Sequence, residues 1–153
     1  MSSLAELYDE LKADVVAIAD PLFEHSQKSL QSRDFFLPHS AVLTPDRKVS
    51  LLGAMTGSKG GHANAPQVLQ MLHKGLRQMS REKVLMAVGV ATQVTLTRGD
   101  QPLTAIRVLL EHERGLTVAL QLPFHREDGG RYFFGEAFAM PAEPELSLWM
   151  PLP

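Results

Sequence analysis

The chain has no cysteine, which excludes disulfides, zinc–thiolate sites and thiol catalysis. Aromatic residues make up only 7% and do not interleave with basic ones, so no stacking platform for a nucleic acid can be read. No apolar run approaches the roughly 18 residues that a membrane-spanning helix needs. The start, Met1 to Leu4, leads into an acidic amphipathic pattern rather than a basic segment followed by an apolar one, so no signal peptide is read and a cytoplasmic protein is expected. Strong charge of one sign is missing too. Fifteen basic against 17 acidic residues give −2, which argues against general nucleic-acid binding.

Motifs that carry chemistry are equally scarce. The six histidines, 25, 39, 62, 73, 112 and 125, form no H-x-H, no H-E-x-x-H and no i, i+4 pair on one helix, so neither metal nor cofactor is expected. His73 reads as a solvent-facing helix residue and His112 as a surface histidine at a strand end. No serine sits in G-x-S-x-G, the context of a nucleophile elbow. These absences lean the reading away from an enzyme.

What remains is a chain built to fold. With 153 residues, 44% hydrophobic and 21% charged, it is long and apolar enough for one globular domain with its own core. Residues 1–140 read as that domain and 141–153, with four prolines, as an extended C-terminal arm.

Leu4, Leu7, Tyr8, Leu11, Val15 and Ile18 recur at helical spacing. Ser3 with Glu6 fits a capping box, each side chain satisfying a backbone N–H of the first turn. Proline lacks a donor and clashes with the preceding turn, so Asp20-Pro21 either kinks one long helix or starts a second at its first position with Asp20 as cap; the favoured expectation is helix, break, helix, the second running to about Ser32. Ser40–Leu43 and Val49–Ala54 read as a hairpin, joined by a turn at Thr44-Pro45-Asp46-Arg47-Lys48. Pro66 opens a third helix with Val68, Leu69, Leu72, Leu76 and Met79 on one face.

From Val84 to Ala139 the chain reads as antiparallel strands. Val84 to Thr97 alternates, with Ala87, Gly89 and Ala91 on one side leaving room for a helix or another backbone. Fourteen extended residues span roughly 45 Å against a radius of gyration near ~15 Å for a compact domain of this size. The strand is therefore expected to bend or bulge near Gly89 or Thr92, or to reach into a partner. Ile106, Val108 and Leu110 face the core while Arg107, Leu109 and Glu111 face the other way. Glu113-Arg114-Gly115 reads as a bulged hairpin turn with Gly115 left-handed. Leu116–Leu122 and Tyr132–Ala139 complete the series.

Two groups of residues are candidates for function. Gly57-Ser58-Lys59-Gly60-Gly61-His62 precedes a helix start, where free N–H groups and the helix dipole attract anions, although both G-x-x-x-x-G-K-[ST] and G-x-G-x-x-G are absent. A plain crossover loop explains the glycines as well. Arg107, Glu111 and Glu136 fall where strand pairing places them on one sheet face, as ion-paired surface residues or as carboxylates poised beside a cation. Charge is also uneven along the chain. Glu6, Asp9, Glu10, Asp14, Asp20 and Glu24 make the start acidic, and Lys59, Lys74, Arg77, Arg81 and Lys83 make the middle basic. These are two solvated helix faces, or faces that meet within one molecule or across a dimer.

Three stretches, Phe36 to Asp46, Ala105 to His112 and Phe134 to Ala139, resemble a group of small uncharacterised bacterial proteins. The resemblance implies an α+β fold and no known activity, and it transfers no catalytic residue. Where such proteins tend to have glycine after the turn aspartate, this chain has Arg47.

The expected architecture is one α+β domain of order α-(α)-β-β-α-β-β-β-β. A five- or six-stranded antiparallel sheet carries helices on one face, loosely like profilin and roadblock domains. Fold likeness carries no function. The leading expectation is a non-catalytic binding or protein-interaction module that forms a homodimer and engages neither nucleic acid nor membrane. The alternatives are a small enzyme or sensor binding an anionic molecule at Gly57 to Asn64, and an inhibitor or immunity-type partner of another protein.

Overall fold

A computed structural model describes residues 3–53 and 65–149. It shows an α+β fold of helices α1 (Leu4–Glu10) and α2 (Lys12–Arg33), strands β1 (His39–Leu43) and β2 (Val49–Gly53), and helix α3 (Ala65–Glu82). Strands β3 (Ala87–Arg98), β4 (Gln101–His112), β5 (Thr117–Arg126), β6 (Tyr132–Phe134) and β7 (Phe138–Pro141) follow. The strands form one antiparallel sheet of order β2-β1-β3-β4-β5-β6, with β7 also paired to β5. Among the described residues no helix is long and apolar enough to cross a membrane.

The Ser3 hydroxyl accepts the Glu6 N–H at 3.1 Å, so α1 starts as its sequence dictates. The break comes at Leu11, however, and not at Asp20-Pro21: α2 runs through Pro21 for 22 residues. Interior proline costs a helix about 3 kcal/mol. Ile18 and Leu22, fully buried on either side of it, each contribute roughly 1.5–3 kcal/mol by leaving water. Burial holds the helix together across the defect.

Both faces of the sheet are covered. Leu11, Val15, Ile18, Ala19 and Leu22 pack on Ala41, Leu43, Ala87, Ala91, Val108 and Leu110. On the opposite side, Val42, Val88 and Val90 meet Leu76 of α3 together with Leu85 and Leu146. The expectation that helices share one face thus holds for α1 and α2 only. The alternation of β3 explains the arrangement, because its small side, Ala87-Gly89-Ala91, admits α2 closely and its valine side needs a second apolar layer. At Gly89 a Cβ would overlap Ile18 Cγ2 and lie 2.9 Å from Leu22 Cδ1. Gly89→Ala is expected to destabilise the protein by about 1–3 kcal/mol. Adding Ile18→Ala should cost less than the two single losses combined, a coupling that denaturant titration of the four proteins would measure.

The long strand does not bulge. Its register with β4 is unbroken from Ala87 opposite His112 to Arg98 opposite Gln101. Strand β1 covers only Ala87–Ala91 and β5 reaches only Ala105 on β4. Thr95–Arg98 and Gln101–Thr104 therefore project as a two-stranded ribbon, which resolves the length problem. The last strand divides instead. Gly135-Glu136-Ala137 stand opposite Leu122-Pro123 as a bulge between β6 and β7, with the Gly135 N–H donating to the Pro123 carbonyl at 2.8 Å. Pro123 has no N–H to continue the ladder. Gly115 is left-handed at φ 93°, closing the β4–β5 turn as its sequence requires.

Candidate functional site

Arg107 and Glu111 project from the sheet face that α3 leaves partly open, four residues apart on β4. Both hold the C-terminal segment. The Glu111 carboxylate is buried and accepts three consecutive backbone N–H groups: Glu145 at 3.1 Å and Leu146 at 2.9 Å on Oε2, and Ser147 at 2.9 Å on Oε1. Ser147 adopts φ 55°, a left-handed turn that helps aim successive N–H groups at one anion. Arg107 Nη2 donates to Glu145 Oε2 at 3.0 Å, and Arg77 Nη2 donates to the Glu145 carbonyl at 3.3 Å. Leu146 is buried among Val42, Leu76, Leu85, Val88 and Val90, and Trp149 Nε1 donates to the Leu85 carbonyl at 3.2 Å. Through Trp149, then, the proline-rich arm is part of the core.

Glu136 does not join this cluster. It is exposed in the bulge between β6 and β7, because the final strand breaks where its alternation would have set it beside β5. Gly57, Ser58, Lys59, Gly60, Gly61 and His62 lie outside the described residues.

Two further polar groups are buried, with His112 in the wall of a cavity of about 470 Å³ and His39 in the wall of one of about 160 Å³. Asp14 accepts from His112 Nε2 at 2.9 Å and from Arg47 Nη2. His112 Nδ1 accepts the Arg114 N–H at 3.1 Å, which fixes the tautomer with its proton on Nε2. Both ring nitrogens are engaged, so this Asp–His pair has no site left from which to act as a general base. Burial alone would raise the Asp14 pKa, but the hydrogen bonds from His112 and Arg47 and the charge of Arg47 outweigh it and hold the carboxyl below its ordinary range.

His39 Nδ1 lies 2.9 Å from the Leu37 carbonyl, and Nε2 lies 3.2 Å from Ser26 Oγ. Burial lowers the His39 pKa. Ser26 resembles half of a nucleophile–base pair, yet it is fully buried and its hydroxyl donates to the Leu22 carbonyl at 2.8 Å. No substrate reaches it.

The reading of His112 as a surface residue is corrected, for it is 2% exposed. Burial also lowers the His73 pKa, opposed by the nearby Glu145 carboxylate, so that histidine is half-buried rather than solvent-facing. One signal for the Asp14 network was present in the sequence. Asp14 stands three residues after Leu11 and four before Ile18, on the apolar stripe, where a carboxylate requires a buried partner.

Two cavities flank the C-terminal segment. One of about 470 Å³ has Glu111, Glu113, Glu143 and Trp149 in its wall. The other, about 330 Å³, lies between the start of α3, the middle of β3 and β4, and Glu145. Among the described residues no group of three or more histidine, aspartate or glutamate side chains is placed to hold a metal. Comparison with protein-family models, curated proteins and solved structures finds no match to this chain.

Proposed function

We propose that this protein is a non-catalytic binding module that self-associates through the free edge of β2. The observation that carries the reading is the state of that edge. Among the described residues β2 pairs with β1 alone. Its sequence, Val49-Ser50-Leu51-Leu52-Gly53, contains none of the lysine or proline that commonly guards an edge strand. Leu51 is 54% exposed and Phe35, which shares a small cavity with Gly53, is 53% exposed. An apolar, unpaired strand offers another strand both backbone hydrogen bonds and side-chain contact. Antiparallel pairing about a two-fold axis makes the same strand complementary to itself. The hydrogen bonds that already occupy Asp14–His112 and Ser26–His39 support a binding role over a catalytic one.

The proposal places the module in the cytoplasm, where a chain without cysteine forgoes no disulfide. It takes protein rather than nucleic acid as partner, in keeping with a net charge of −2. The wild-type chain is expected to sediment as a dimer at micromolar concentration. Leu51→Lys, which installs a natural edge guard, should raise the dimer dissociation constant at least tenfold while leaving the unfolding midpoint of the monomer nearly unchanged. A wild-type chain that stays monomeric up to hundreds of micromolar removes the self-association reading.

A further inference from the structure

We propose that the cavity of about 330 Å³ beside Arg107 binds a small apolar carboxylate, and that Glu145 occupies the anion position of this site when no ligand is present. The inference does not rest on self-association, since no residue of β2 lines this cavity.

The walls decide the ligand's body. Phe36, Leu69, Val90, Val94 and Leu109 supply hydrocarbon, and among the described residues Arg107 supplies the one full positive charge in the lining. Pro66, in the first turn of α3, brings the amino end of that helix to the wall. No acidic side chain stands in that turn, and the helix dipole adds partial positive charge at this wall. The volume is at the small end of ligand pockets and holds about ten water-sized groups, the size of an eight-carbon acid.

The occupant of the anion position is already visible. Glu145 Oε2 sits 3.0 Å from Arg107 Nη2, with 41% of the glutamate side chain and 24% of the arginine side chain exposed. A carboxylate so exposed is bound weakly to its cation and can be exchanged for another. The segment need not leave with it, because residues 145–147 are anchored to Glu111 through backbone N–H groups rather than through the Glu145 side chain. An incoming carboxylate therefore replaces one carboxylate on Arg107 while its tail fills a space walled by hydrocarbon. Arginine suits this role, since its planar fork grips a carboxylate through two parallel N–H groups.

Octanoate titrated into the full-length protein by calorimetry is the test, with octanol and acetate as companions. Octanoate is expected to bind saturably at one site per chain, octanol at least tenfold more weakly, and acetate not measurably. Arg107→Gln should weaken octanoate at least tenfold. Glu145→Gln, which removes the competing carboxylate and keeps the backbone anchor, should tighten it about two- to fivefold. The opposite signs of the two variants separate a specific site from general surfactant binding, and circular dichroism on each checks the fold. Absence of octanoate binding in both wild type and Glu145→Gln overturns the proposal. So does octanol binding as tightly as octanoate, or equal affinity in wild type and Arg107→Gln.

Discussion

Glu111→Ala is expected to lower the unfolding free energy by about 3–5 kcal/mol and to release the C-terminal segment before the rest of the fold melts. The buried carboxylate accepts three backbone N–H groups, from Glu145, Leu146 and Ser147. Hydrogen bonds to a charged group contribute about 1.5–3 kcal/mol each, though three on one anion add less than three times that. Alanine also leaves the Leu146 N–H, which is buried, without an acceptor. Burial of Leu146 beside Val88 and Val90 then has to hold the segment alone. Glutamine should fall between glutamate and alanine, because one amide oxygen accepts while the amide nitrogen opposes another N–H. The sole tryptophan reports the event directly. Trp149 is half-buried with its indole N–H on the Leu85 carbonyl, so Glu111→Ala should shift its emission to longer wavelength in native buffer. Unchanged emission together with an unchanged denaturation midpoint would show that the latch carries no weight.

The latch also explains how much of the site was legible. Alternation along β4 placed Arg107 and Glu111 on one face, and that is where they lie, because a strand's period of two leaves no other choice once Ile106, Val108 and Leu110 face the core. Their partner was not legible. It is main-chain N–H from a segment more than thirty residues further on, and backbone donors have no signature in a sequence. Glu136 was assigned by extending the alternation through Gly135, and the bulge opposite Pro123 displaced it.

Pro21 failed as a helix breaker for a related reason. Local propensity is a few kcal/mol, and the burial of Ile18 and Leu22 under the small side of β3 is larger. The same small side, Ala87-Gly89-Ala91, was legible as a surface for close approach, and α2 occupies it. Arg47, in the turn between β1 and β2, has a role of its own. It adopts φ 64°, a conformation that costs a residue other than glycine about 1–2 kcal/mol, and its guanidinium reaches Asp14.

Asp14→Ala should cost about 3–5 kcal/mol, as loss of one member of a buried pair does. Most of that loss comes from His112. The histidine side chain is 1% exposed and its Nε2–H would be left without an acceptor, whereas Arg47, 57% exposed, turns to water. An exposed cation of that kind contributes at most about 1 kcal/mol. The two substitutions Asp14→Ala and His112→Ala should therefore be strongly non-additive, and Asp14→Ala with Arg47→Ala nearly additive.

Acid titration gives a second, independent reading. The folded Asp14 pKa lies below its unfolded value, so the unfolded state binds the proton first. Its stabilisation is complete above the unfolded value and is lost as pH falls through the folded one. His39, whose pKa is also lowered, begins to withdraw stability earlier, as pH drops below the ordinary histidine value of about 6.5. Wild type should thus weaken in two stages on acidification, the second near and below pH ~4. Asp14→Ala should retain the first stage and show a smaller second one, since Glu24 and Asp46, whose pKa values are also lowered, still titrate there, so that the gap between the two proteins narrows toward low pH. A gap that stays constant down to pH ~2 would mean that Asp14 does not hold its charge against burial in the way its bonds to His112 and Arg47 require.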